Sequence, residues 1–392
     1  MTFDTNVLLA ATVSATLTVA ALAALINWSQ RRVNPSRMTL AAFFAVFAIS
    51  EVDSIVAVLI QTSPKVVRNG SEFVGFAANF WLGPIFFIYV REIAGRRCNS
   101  DDRRSMARHF LLPVSATVFA IGTFLLLDVM RDTRHPVSSS EFETLVLGFL
   151  HYGFMFLTVA LAVQWAVYVA WVLVTQAQHL ERLKQYYAST EGMELRWVSV
   201  LACALGIYVL QHLIGQIMVL QGRQDFVGPL FDGFLVLVVI FALALWSLRP
   251  SPDLDNATGI LAEIETPKDK KYEKSALDSS QSERIARKLV RAMEEDCLYR
   301  DPNLTLSMLA QHVGVSLNYV SQTLNQNLGQ SFFEFVNSWR IREAMPLVEK
   351  GEATVLAIAY EVGFNSRSSF YSAFKRETGQ TPTSYKSGSA RP

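Results

Sequence analysis

Seven long apolar runs precede Arg249, and no other feature limits the fold as strongly. They lie at roughly 7–26, 38–60, 73–94, 110–130, 145–174, 197–220 and 227–248. Crossing a bilayer core takes about 20 apolar residues in a helix. In hydrocarbon each backbone N–H and C=O must find a partner within the protein, which leaves helices or closed barrels. Runs of this length are helical, so residues 1–248 are expected to form a seven-helix transmembrane bundle. The first run does not read as a signal peptide. Its flank, MTFDTN, has no cation, and the run is longer than a typical signal core.

Lys and Arg in the connecting loops set the orientation. The first, third and fifth loops hold eleven, Arg31, Arg37, Arg96, Arg108 and Lys184 among them, and the even loops hold five. The odd loops are therefore expected inside and the N-terminus outside. Seven crossings then put everything after Arg249 in the cytoplasm. The even loops are too short for an external sensor domain.

Composition agrees once it is divided. The 392 residues are 51% hydrophobic and 18% charged with a net charge of +1, but the apolar excess lies almost wholly before Arg249. Cys98, Cys203 and Cys297 are far apart and match no metal or CxxC spacing. There is no Gly-rich phosphate loop, HExxH motif or nucleophile elbow. No catalytic residue, metal or cofactor is expected.

Polar side chains inside the runs are rare and informative. Glu51 and Asp53 lie in the second run, Asn79 in the third, His151 in the fifth, Gln211, His212 and Gln216 in the sixth, and Asp232 in the seventh. All fall in a layer ~8–14 Å from the outer ends of their helices. His212 and Gln216 share a helix face, whereas Glu51 and Asp53 are about 200° apart. Such a layer reads either as a pocket open to the outside, able to hold a ligand or proton, or as interhelical hydrogen bonding. Gly83-Pro84 suggests a mid-membrane bend, though ordinary helix packing accounts for it as well.

Residues 249–281 turn polar and rich in Pro, Ser, Asp and Lys, as a flexible cytoplasmic linker does. Its mean span would be ~30 Å and its limit ~110 Å.

From Ser282 the pattern becomes amphipathic and helical. Ile285, Leu289 and Met293 recur every four residues, and the cations around them, Arg284, Arg287, Lys288 and Arg291, read as a solvated face. In 304–329, Thr305 can cap a helix, Gly314 can take a positive φ, and Ser316 can cap the next helix. Val320 and Leu324 face its core, leaving Asn318, Ser321, Gln322 and Asn325 outward. Asn and Gln suit adenine. A second helix-turn-helix follows over 352–386. Ile358, Ala359, Phe370 and Phe374 pack it, and Gly363 makes the turn. Arg367, Ser368, Tyr371 and Ser372 lie outward, and Lys375 and Arg376 suit phosphates. A helix of about 19 residues, ~28 Å, joins the copies. Successive major grooves on one DNA face are ~34 Å apart. The net charge of 281–392 is only +2, weak for a nucleic-acid domain.

These motifs resemble the DNA-binding domain of the AraC family over residues 282–386. The resemblance rests on Ile358-Ala359, Val362-Gly363-Phe364, Phe370, Phe374-Lys375, Gly379, Pro382 and Tyr385. In the first copy it rests on Leu309-Ala310, Gly314-Val315-Ser316, Gly329, Phe332, Arg340-Ile341 and Ala344. Pro346 departs from the pattern and is expected to kink or shorten the linking helix. Gly83-Pro84 with Tyr89-Val90-Arg91 looks, more loosely, like the multi-pass members of that group. The resemblance implies a bacterial promoter-binding regulator that reads bases through Asn318, Ser321, Gln322, Asn325, Arg367, Ser368, Tyr371 and Ser372. Expected partners are double-stranded DNA, membrane lipid and the transcription machinery, with homodimerisation left open.

The sequence thus describes an all-α protein. A seven-helix transmembrane domain (1–248) is followed by a linker (249–281), a double helix-turn-helix domain (282–386) and a disordered tail (387–392). It reads as a regulator in the inner, cytoplasmic membrane whose bundle senses a small or lipophilic signal, or membrane state. Two alternatives remain at this stage, a passive anchor for the DNA-binding domain and a transporter-like bundle with a regulatory cytoplasmic domain.

Overall fold

A computed structural model of the chain describes residues 5–32, 34, 36–59, 65–95, 106–132, 140–191, 193–220, 229–248 and 279–389. The linker as far as residue 278 and the last three residues of the tail lie outside the described residues. So do the side chains of His212 and Gln216. Among the described residues there is no strand, only one isolated bridge between Tyr187 and Thr305. By internal contacts the chain divides into two compact units. One is Met1–Gln176 with Leu195–Ser251, and the other is Ala177–Glu194 with Pro252–Pro392. Residues 177–194, which follow the fifth apolar run, group with the C-terminal helices.

The first unit is built from α1 (Thr5–Ser29), α2 (Ser36–Ser50), α3 (Val52–Leu59), α4 (Lys65–Ile93), α5 (Leu111–Asp132), most of α6 (Ser140–Tyr186), α7 (Arg196–Leu220) and α8 (Pro229–Ser247). Among the described residues six helices are long and apolar enough to cross a membrane. The sixth run forms the remaining helix, α7, with a described apolar stretch of Trp197–Tyr208. The α4 window is 61% buried against 22% for α1, α5 and α8, so α4 is the central helix. Phe43 and Phe44 of α2, Phe86 and Val90 of α4, Trp165 and Tyr168 of α6, and Ile240 and Leu243 of α8 fill the core around it. Outward-facing Leu22, Leu111, Phe149, Phe156 and Val200 are more than half exposed. An apolar exterior of this kind suits acyl chains rather than water.

Two local features follow from single residues. The second run is interrupted at Glu51, a turn residue between α2 and α3. The backbone bonds Glu51 N–H to Phe47 O and Ile55 N–H to Glu51 O continue across the break. Ser50 also donates its hydroxyl to Phe47 O, a back-bond that loosens helices. Helix α4 runs through Pro84. A Cβ on Gly83 would stand 2.7 Å from the Tyr168 ring, so the missing side chain lets α6 pack close.

The second unit has two lobes. The first contains α9 (Ser279–Glu294), a 3-10 turn (Leu298–Arg300), α10 (Leu306–Val313) and α11 (Leu317–Gln322), which passes into a π-turn at Thr323–Asn327. Its core holds Ile285, Leu289, Met293, Leu309, Val320 and Leu324. The second contains α13 (Val355–Glu361), α14 (Arg367–Thr378) and α15 (Pro382–Ser389), packed on Ile358, Ala359, Phe370 and Phe374. Helix α12 (Phe332–Lys350) contributes Phe332, Phe335 and Val336 to one core and Ile341, Ala344 and Val348 to the other. Ser331 and Glu334 form a capping box at its start, and Gly351 at φ 66° ends it. The early end expected at Pro346 does not occur. Pro346 is exposed, and so is Arg342, whose carbonyl loses its helical donor, so water can replace the missing bond.

Candidate DNA interface

The helix-turn-helix geometry forms where the residue types permit it. Thr305 Oγ1 accepts from Met308 N–H, and Gly314 takes φ 64° before α11. In the second copy Thr354 Oγ1 accepts from Ala357 N–H and Ser366 Oγ from Ser369 N–H, each closing a helix N-terminus. Between them Gly363 sits at φ 98°, where a Cβ would approach Tyr299 O and Arg300 O to 2.7 Å. That glycine allows both the turn and the close seating of the second lobe on the first.

Arg340 is the other joint. It is 1% exposed, with Nε donating to Tyr299 O at 2.7 Å and Nη2 to Asp301 O at 2.8 Å. Nη1 donates to Asn337 Oδ1 at 3.2 Å, and the guanidinium lies over the Phe364 ring. Burial draws its pKa down to about 10. Beside it Arg300 pairs with Glu343 of α12.

In α11 and the π-turn that follows it Asn318 and Asn325 are exposed, whereas Ser321 and Gln322 are half-buried. Gln322 Nε2 donates to Gln326 Oε1 at 3.0 Å and Asn325 Nδ2 to Ser321 Oγ at 3.4 Å. In α14 Arg367, Ser368, Ser372 and Lys375 are exposed and Tyr371 is half-buried. The Arg367 guanidinium lies over the Tyr371 ring, with Nη2 at 3.1 Å from the hydroxyl. Hydrogen bonds from Thr383 and then from Arg367 hold the Tyr371 hydroxyl below its ordinary pKa. Each copy thus presents a polar strip, and the second adds two cations. Gln326 and Thr383 join these strips without having been singled out in the sequence.

The C-terminal unit also contains a loop that a motif search passes over. Ala188 N–H donates to Leu304 O at 3.2 Å, and Ala188 O accepts from Asn337 Nδ2 at 3.4 Å. The Glu191 carboxylate accepts from the hydroxyls of Ser366 and Ser369 at the start of α14.

In the first unit the polar residues only partly converge. Glu51 and Asn79 line, with Tyr208, a cavity of about 30 Å³, room for a water or two. A Cβ on Gly75 would lie 3.1 Å from Asp53 Oδ1, which places Asp53 against α4. Asp232 accepts from Gln211. His151 stands exposed on α6 beside Tyr152 and does not join them. A second cavity, of about 450 Å³, lies among α2, α4 and α5, walled by Phe73, Trp81 and Phe124 with Gly70, Ala77 and Ala120 leaving the space. That volume is typical of small-molecule sites, ~300–1,000 Å³, and its lining is apolar apart from Thr117.

A family model described as a helix-turn-helix domain matches residues 309–388. Over 92 residues the chain is 36% identical to a Streptomyces lividans protein described as "Putative AraC-like transcription regulator", covering 23% of this chain and 30% of the relative. Over 89 residues it is 36% identical to the uncharacterized HTH-type transcriptional regulator SACOL0084 of Staphylococcus aureus strain COL, covering 23% and 12%. Among solved structures, the C-terminal domain of AraT, a response regulator from Geobacillus stearothermophilus, aligns at 28% identity with a TM-score of 0.24. The alignment covers 26% of this chain and 84% of that one. The chain spans under a third of the length of these curated relatives. Its C-terminus carries a helix-turn-helix domain similar to those of AraC-like regulators.

Proposed function

We propose that this chain is a membrane-embedded, sequence-specific DNA-binding transcription regulator. The observation that carries the reading is the pair of helix-turn-helix lobes on one spacer helix, each with a polar strip outward, in a chain with six long apolar helices among the described residues. Asn318, Ser321, Gln322 and Asn325 read bases in one lobe, and Arg367, Ser368, Tyr371 and Ser372 in the other, with Lys375 on phosphate. Helix α7, sixth in chain order, completes a set of seven crossings, which leaves the N-terminus outside and the DNA-binding unit in the cytoplasm. Support for that topology comes from residues 177–194. They carry the fifth loop and belong to the same compact unit as the C-terminal helices, as a shared compartment requires.

The bundle acts as the receiver of a lipophilic signal. The apolar 450 Å³ cavity favours this over a polar ligand, since the polar cavity at Glu51 has room for little more than water. A signal acts only through different affinity for two arrangements of the chain. Sequencing the DNA retained by full-length protein, with and without added lipid extracts, tests the function. Recovery of random sequence in both conditions would sink it.

A further inference from the structure

We infer that the loop 187–194 is a brake docked on the DNA-reading unit, with Glu191 holding the start of the second recognition helix against DNA. This deepens the function just proposed and rests on it.

The loop is built into the unit. Tyr187 forms a bridge with Thr305, the N-cap of α10, and Ala188 is 1% exposed within the core of the first lobe. The Ala188 carbonyl is held by Asn337, itself fully buried, and lies 3.5 Å from Nη1 of Arg340. One loop residue therefore engages the two side chains of α12 that organise the joint between the lobes. The loop is also folded on itself, with Thr190 Oγ1 donating to Glu194 Oε1 at 2.8 Å and His179 Nε2 at 3.4 Å from Met193 O.

From this anchor Glu191 reaches the second lobe. Its carboxylate takes both Ser366, the N-cap of α14, and Ser369. The next residues in α14 are Arg367 and Ser368, proposed to face the bases. The N-terminal turn of a recognition helix is the part that enters the groove. Backbone N–H groups and the helix dipole there favour the anionic oxygens of DNA. A carboxylate in the same position satisfies the serines and repels phosphate. Glu191 and Glu194 are the only charged residues in 187–194, so the loop brings negative charge alone. Its ends continue by covalent bonds into α6, whose residues up to 176 belong to the first unit, and into α7 of that unit. Displacement of those helix ends would draw Glu191 from α14, which gives a signal in the bundle a route to the DNA-binding unit besides the 249–281 segment.

The test uses full-length protein in lipid nanodiscs and a fluorescent random-sequence duplex about four helical turns long, at roughly 50 mM salt. Glu191→Gln and Glu191→Ala are compared with wild type by anisotropy, with thermal unfolding as a check on folding. Both variants should bind about three- to tenfold more tightly, the range for one charge at a helix end. In a Cys98→Ser, Cys203→Ser, Cys297→Ser background, Glu191→Cys and Ser366→Cys should be joined by a short bis-maleimide cross-linker with a reducible centre, which spans the gap left by the shorter side chain at position 191. Cross-linking should then lower DNA binding at least about tenfold, reversibly with reductant. If wild type binds and the folded Glu191 variants bind no more tightly, the loop is only a structural cap and the brake falls alone. Failure of the cross-link to form, or full DNA binding in its presence, overturns the brake too. If neither wild type nor any variant binds the duplex, the DNA-binding reading falls and takes the brake with it.

Discussion

Gly363 joins the two lobes because it has no side chain. Its φ of 98° and the 2.7 Å approach to Tyr299 O and Arg300 O leave no room for a Cβ. Gly363→Ala is expected to destabilise the C-terminal unit by on the order of 2 kcal/mol or more, measured by denaturant unfolding. Arg340→Met keeps most of the packing but leaves the carbonyls of Tyr299 and Asp301 without their buried donor. Asp301 O keeps the Leu304 N–H at 3.3 Å, so the cost should be about 1–3 kcal/mol, mainly for the buried Tyr299 carbonyl. At the proposed reading surface the roles are expected to divide. Arg367→Ala should weaken specific binding by ~1–3 kcal/mol and relax one base position. Lys375→Ala should weaken binding to all sequences and flatten the salt dependence. Equal losses on specific and random duplexes for both variants would contradict that division. Gly314 and Gly363 were legible in the sequence because a positive φ between two apolar helices demands glycine. Tyr208 was not, because a scan for ionisable groups inside apolar runs passes over tyrosine.

The spacer helix α12 shows how one element serves two cores. Its nineteen residues match the length read from the sequence, because the apolar spacing and the Ser331 cap are local signals. The early end expected at Pro346 was also a local reading, and it did not occur because the lost bond lies on an exposed face. The capping box gives α12 a pH dependence. The backbone N–H of Ser331, first among several causes, holds the Glu334 carboxyl below its ordinary 4.5. A carboxyl with a folded pKa below its unfolded one contributes stability that is present above about 4.5 and lost as pH falls through the folded value. Unfolding of the C-terminal unit should therefore become easier below about pH 4.5, and Glu334→Gln should remove that part of the slope. An unchanged slope in the variant would show that other carboxylates account for it. The loop 187–194 lay beyond any such local reading. Ala188 and Asn337 are 149 positions apart, and only the folded chain brings them together.

At the scale of the whole molecule the proposed function joins the apolar runs and the paired helix-turn-helix motifs in one arrangement, a reader of DNA held at a membrane. The loop 187–194 alters how the two parts are joined, since the C-terminal unit includes residues 177–194 as well as those after the linker. A passive anchor and a sensor are separated by replacing residues 1–176 and 195–248 with unrelated spans of the same topology while keeping 177–194. Regulation that survives the exchange would leave the bundle only an anchoring role. The most direct measurement is sequencing of DNA cross-linked to the full-length protein after cells are fractionated. The account predicts that the protein–DNA complex is recovered from the membrane fraction. Its DNA should carry a recurrent motif of two half-sites about one helical turn apart, lost with Arg367→Ala. Recovery from the soluble fraction alone, or DNA without a shared motif, would contradict it.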